Sequence, residues 1–141
     1  KRYAPNSLAP DRAVWGRDNK GAMLRVIGAG ADDPATHLEN RVGEPAANPY
    51  LYMASQVLSG LDGMHAKMTP PAPSDDPYHA DAAPLPANLM EALAALAKNQ
   101  MFRDRLGDTF VDYILALKGA EVDRFFSAVT DWEHKEYFEM Y

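Results

Sequence analysis

His37, Glu39 and Arg41 alternate with single intervening residues, and in an extended strand successive side chains point to opposite faces. All three would project from one side, with Leu38 and Val42 on the other. One acid converging with two nitrogenous groups suits a metal-bound, phosphorylated or carboxylate ligand. The same pattern also describes a solvated strand face, and spacing alone leaves both readings open.

The elements that must hold these residues follow from the flanking sequence. Residues 1 to 47 read as strands and loops: Ala13-Val14-Trp15 and Ala22 to Ile27 are short runs containing β-formers, bounded by Gly16 to Asn19 and by Gly28 to Pro34. A third strand is expected from about Thr36 to Val42. Asn48 before Pro49 predicts a helix start, with an Asn cap and Pro at the first helical position. That helix should run to about Gly63, with residues 48–68 forming a buried helical segment. Leu51, Ala54, Leu58 and Leu61 make one stripe, which Met53 and Val57 widen. Residues 69–86 carry six prolines and read as a long loop. Residues 87–141 read as helices, one beginning near Asn88 and another over about 108–129 with Phe110, Ile114 and Leu117 on one side. Thr130 with Glu133 forms a capping box that starts a last short helix through Tyr137.

Whole-chain properties narrow the function classes. The 141 residues fit one small domain with a core, and a net charge of −6 argues against a broad nucleic-acid-binding surface. There is no cysteine, so thiol nucleophiles, disulfides and zinc ribbons are excluded. No apolar run reaches the roughly 18 residues of a membrane span. These features fit a cytoplasmic protein. The chain opens at Lys1 without an initiator Met and is expected to be a piece of a longer one.

Several blocks then occur in order: Lys1-Arg2 followed by Pro5, Asn19-Lys20-Gly21-Ala22 with Arg25, Glu39-x-Arg41, Ala47-Asn48-Pro49-Tyr50 and Gly60-Leu61-Asp62-Gly63. Together they resemble the C-terminal part of the glutamine synthetase catalytic domain. The tail, Val129-Thr130-Asp131-Trp132-Glu133 with Tyr137, resembles branches that include ligases acting on organic amines. The resemblance implies an α+β fold, a few antiparallel strands followed by a mainly helical segment, within a cytoplasmic homo-oligomer of stacked rings. It implies ATP-dependent ligation of ammonia to glutamate through γ-glutamyl phosphate, with ATP and Mg²⁺ or Mn²⁺ as cofactors. By position, Arg2 and Arg41 would bind glutamate, and Arg2, Arg25 and Arg41 would act on the phosphoryl group in catalysis. Lys20, Arg25 and His37 would meet ATP phosphates, and Glu39 would ligate a metal. Cations placed around the transferring phosphoryl group supply most of such catalysis. Arginine offers a fork for carboxylate and phosphate, and carboxylate oxygen is the hard ligand that Mg²⁺ prefers.

Three positions depart from the family pattern. Leu8 stands where the family commonly has a Glu that takes the proton from bound ammonium, a general base worth on the order of 10² to 10⁴ in rate. Lys20 and His37 each replace an Arg. Leu8 therefore marks an acceptor pocket, and the alternative activity is a γ-glutamyl ligase for a polyamine, alkylamine or aromatic amine. A reading of another class is a non-catalytic ring-forming homologue. The 141-residue piece alone is expected to be inactive. Tyr78 lies near the position adenylylated in some bacterial relatives, yet a packing role fits its surroundings better. His65, His79 and His134 read as surface residues, Trp132 and Tyr137 as helix-docking aromatics, and Met53, Met64 and Met68 as core or interface filling.

Overall fold

A computed structural model describes residues 8–138 and 140. They form three strands and five α-helices: β1 Trp15–Arg17, β2 Leu24–Ile27, β3 His37–Asn40, α1 Pro49–His65, α2 Leu89–Ala97, α3 Gln100–Leu106, α4 Asp108–Ser127 and α5 Asp131–Tyr137. The chain divides into two compact units, one ending at Asn88 and the other beginning at Leu89. Strands come first and helices after, as the sequence predicts.

In the first unit the sheet order is β1-β2-β3. β2 and β3 pair antiparallel, with Arg25 opposite Glu39 and Val26 opposite Leu38. β1 and β2 are parallel, a departure from the antiparallel expectation. Parallel neighbours usually need a crossover of a dozen residues or more. Here β1 has only three residues, a length of roughly 10 Å at ~3.3 Å per residue, so a short loop can carry the chain back to its start. That loop turns through Asp18 in the left-handed region, at φ 47°, a conformation that Asp tolerates better than most residues. Asp18 N–H then donates to the Val26 carbonyl at 2.9 Å.

The 69–86 segment is the expected loop, with one 3₁₀ turn at Pro77–His79, and it is tied to the sheet along its length. Trp15 Nε1 donates to the Pro71 carbonyl at 2.7 Å, and Ser74 N–H donates to the Trp15 carbonyl at 2.8 Å. Arg12 pairs with Pro84 in an isolated antiparallel bridge. The prolines lack donors, so the loop contributes mostly carbonyl acceptors to these contacts.

Asn48 caps α1 as expected, accepting from Tyr50 N–H at 3.0 Å and Leu51 N–H at 3.3 Å. The expectation of a buried helix is not met within this chain. None of the α1 residues is buried; Met53 and Met64 are 65% and 75% exposed, and Met68 beyond the helix is also exposed. The three-stranded sheet is small, and among the described residues no other element packs extensively along α1, so its apolar stripe is covered only in part, at Ala54 and Leu58.

In the second unit α2 and α3 both pack on α4, and the core centres on Val111. Phe110 and Ile114 are half-buried, whereas Leu117 stays exposed. Arg103 links three helices: its Nη1 donates to Asp108 at 2.9 Å, its Nη2 to Asp112 at 3.0 Å and its Nε to the Ala97 carbonyl at 3.2 Å. The Thr130–Glu133 capping box is present with both reciprocal bonds. Trp132 and Tyr137 pack on each other edge to face at 6.1 Å, and both remain more than half exposed.

Candidate active site

The charged cluster is built by the β2–β3 register. Directly opposed residues of an antiparallel pair share a face, so Arg25 and Glu39 meet, and Arg25 Nη1 donates to Glu39 Oε2 at 3.2 Å. Arg41 follows β3; its N–H donates to the Met23 carbonyl at 2.9 Å, which extends the ladder and turns its side chain to the same carboxylate. Arg41 Nη1 lies 3.8 Å from Glu39 Oε2. One carboxylate oxygen is thus flanked by two guanidinium groups.

The turn after β1 supplies a second acid. Asp18 accepts from Arg25 Nε at 3.0 Å and also from its Nη2. Hydrogen bonding to Asp18, then to Glu39, raises the Arg25 pKa above its ordinary value, while burial opposes the shift. The Arg25 fork is therefore held in an acidic cradle, its side chain only 16% exposed. Arg41 is placed differently. Its Nε is buried and has no hydrogen-bond partner among the described residues. A buried, unpaired donor on a cation costs about 1–3 kcal/mol or more unless an acceptor reaches it, so Arg41 keeps capacity for an anion.

The other predicted site residues fall into three groups. Lys20 stands exposed in the turn between β1 and β2, where Asn19 Oδ1 accepts from Gly21 N–H at 2.9 Å. His37 begins β3 opposite Ile27, and its Nδ1 donates to the Ala35 carbonyl at 2.5 Å, within its own turn. Leu8 is 87% exposed. Arg2 lies outside the described residues. The structure brings Arg25, Glu39 and Arg41 together and gives neither Lys20 nor His37 a contact with them among the described residues. Asp18 was missed by sequence reasoning; its signal was an acid in a Gly-Arg-Asp-Asn turn, seven positions before Arg25.

The cluster sets two guanidinium groups, Arg25 and Arg41, beside two carboxylates, Asp18 and Glu39. Glu39 offers a hard oxygen donor suited to a divalent cation, and it is 40% exposed. Among the described residues no group of three or more His, Asp or Glu could hold a metal ion. The opposite face of the sheet is apolar: Trp15, Leu24, Val26 and Leu38 line an open groove of about 490 Å³ with Pro70 and Pro71. No helix among the described residues is long and apolar enough to cross a membrane.

Comparison with known proteins places this geometry. A profile described as "Glutamine synthetase, catalytic domain" matches residues 1–137. A γ-glutamylanilide synthase from an Acinetobacter species is 49% identical over 152 aligned positions, which cover 99% of this chain and 30% of that protein. A γ-glutamylethanolamide synthetase from Streptomyces coelicolor is 36% identical, with the same coverage of both. Among solved structures, GmaS without ligand superimposes with a TM-score of 0.79 at 28% identity, covering 97% of this chain and 32% of that one. The chain spans about a third of the length of these relatives. It belongs to the glutamine synthetase catalytic-domain family.

Proposed function

We propose that this segment contributes to the active site of an ATP-dependent ligase that joins an amine to the γ-carboxylate of glutamate, with an organic amine as the acceptor. The observation that carries the ligase reading is the pair of guanidinium groups on Glu39, with a buried Arg41 Nε left to bind an anion. In the reaction a γ-carboxylate oxygen attacks the terminal phosphorus of ATP and ADP leaves. The amine nitrogen then displaces phosphate from the acyl carbon, and its proton passes to the departing phosphate or to water. Arg25 and Arg41 neutralise charge on the glutamate carboxylate and the transferring phosphoryl group. Lys20 adds a point charge towards the nucleotide phosphates, and His37 is a further phosphate-side donor. Arg2 joins Arg41 on glutamate. Glu39 would be one of the residues that hold Mg²⁺ or Mn²⁺, and the ion would supply charge neutralisation.

Leu8 supports the choice of acceptor. It stands where an ammonium-binding Glu is expected, and its side chain is exposed and apolar. An aliphatic group neither attracts an ammonium ion nor accepts its proton, but it can contact the hydrocarbon part of an amine. Relatives that form a γ-glutamylanilide and a γ-glutamylethanolamide support this reading. A second reading, glutamine formation from ammonia, is favoured by a 35% identical glutamine synthetase from Methanocaldococcus jannaschii. The assembly proposed for the working enzyme is a cytoplasmic homo-oligomeric ring.

The test is phosphate release by the intact protein with ATP, Mg²⁺ and glutamate, comparing ammonium with alkyl-, poly- and aromatic amines. Turnover with organic amines and little with ammonium is the expected result. Turnover with ammonium alone overturns the acceptor assignment, and ATP binding without phosphate release under any amine overturns the ligase. Leu8→Glu should raise ammonium use and weaken amine use; no change in either removes Leu8 as a determinant.

A further inference from the structure

Tyr78 touches both halves of this site from a loop that carries none of its chemistry. Its hydroxyl donates to the Leu8 carbonyl at 3.0 Å, a contact between residues 70 positions apart. Its ring lies against Gly21, next to Lys20: a Cβ at Gly21 would sit 2.9 Å from Cε2 and 3.2 Å from Cζ of the ring. The loop is anchored beside it, because Pro77 is buried and Asn19 Nδ2 donates to the Asp75 carbonyl at 3.0 Å. Asn19 in turn fixes the Lys20–Gly21 turn through its bond to Gly21 N–H.

We infer that Tyr78 is a positioning residue that sets the acceptor segment at Leu8 against the phosphate-side turn at Lys20. The inference rests on the ligase reading above. The two functions of the side chain are separable. The ring fills the space over Gly21 and braces the Lys20 turn, whereas the hydroxyl alone reaches the Leu8 backbone. Because that bond goes to a carbonyl, it fixes the course of the chain and is indifferent to the residue at position 8. A side chain at Leu8 is then presented at a set distance from the cations, which is how an apolar acceptor contact becomes selective.

The test is Tyr78→Phe and Tyr78→Leu in the intact protein, with KM and kcat for amine, ATP and glutamate read separately. Tyr78→Phe keeps the ring and removes one neutral hydrogen bond, so the KM for amine should rise about three- to tenfold while that for ATP stays within about twofold. Tyr78→Leu should raise both. Equal effects of Tyr78→Phe on amine and ATP, or none on either, would overturn the inference. Limited proteolysis gives a second readout: Tyr78→Phe should speed cleavage beside Leu8, whose carbonyl loses its partner, and leave cleavage after Lys20 unchanged. If the wild-type protein turns over neither ammonium nor any organic amine, the ligase reading fails by itself. Unchanged cleavage beside Leu8 then sinks the clamp independently, and faster cleavage there retains it.

Discussion

Arg41→Lys separates a ligand-binding cation from a structural one, because the two roles predict opposite signs. In the folded chain Arg41 has one weak ion pair, at 3.8 Å, and a buried Nε with no partner among the described residues. A partly exposed pair of this length contributes at most about 1 kcal/mol. The unpaired donor costs about 1–3 kcal/mol. Lysine keeps the charge, and the backbone bond to Met23 survives, but the buried N–H disappears. Stability should therefore be unchanged or raised by up to about 1 kcal/mol, measured as a shift in the urea midpoint at constant slope. Catalysis should move the other way. Losing one charged hydrogen bond to glutamate or the phosphoryl group costs about 1.5–3 kcal/mol, or about 10- to 150-fold in kcat/KM for glutamate. The assay is ADP release by the intact protein at varied glutamate. A variant that unfolds at least ~2 kcal/mol more easily with kcat/KM intact would refute the reasoning, since Arg41 would then be a packing residue.

Two further outcomes concern the loop that joins β2 to β3 and so holds Arg25 opposite Glu39. The Asp33 carboxylate accepts from Ala29 N–H at 2.8 Å and Ala35 N–H at 2.9 Å, which lowers its pKa below the ordinary 3.8. A depressed folded value means the stabilisation is complete above the unfolded value and is lost as pH falls through the folded one. The stability difference between wild type and Asp33→Asn should thus shrink as pH drops below 3.8; a difference that stays constant in acid unfolding would rule the carboxylate out. Gly28→Ala places a Cβ 2.6 Å from Thr36 Cα at φ +104°, whereas Gly30→Ala at φ +124° meets nothing within 4 Å. Both lose about 1–3 kcal/mol to backbone strain, but only Gly28→Ala adds an overpacking cost, again about 1–3 kcal/mol. Equal losses in urea unfolding would show that the clash relaxes freely.

What could be read from the residues was local. The Asn48-Pro49 start of α1 and the Thr130–Glu133 box depend on side chains within three positions of the backbone groups they satisfy, and both are present. Alternation over 37–41 foretold that Glu39 and Arg41 share a face. The pairing of Arg25 with Glu39 needed a register, which a strand pattern does not contain. Contacts that depend on long separations were invisible: Tyr78 to Leu8, Trp15 to Pro71, and the return of the chain that makes β1 parallel to β2. Exposure of α1 was unreadable for a different reason. An all-round apolar helix says that something should cover it, and nothing in its composition says which surface does.

The charged and apolar faces of the sheet are consequences of one register. Leu24, Val26 and Leu38 point into the apolar groove, and Arg25 and Glu39 point away from it because they alternate with those residues. A slip of β3 by one residue would move Leu38 onto the charged face and turn Glu39 towards the groove, losing the Arg25 pair. The groove and the Arg25–Glu39 pair therefore favour the same register. Trp15 strengthens this restraint, since its ring lines the groove while its indole nitrogen and its carbonyl bind the Pro-rich loop. That same loop carries Tyr78 to Leu8 and Gly21. On the proposed function, the loop thus links the groove to the Leu8 segment, and substitutions in the groove should alter amine selectivity before they abolish folding.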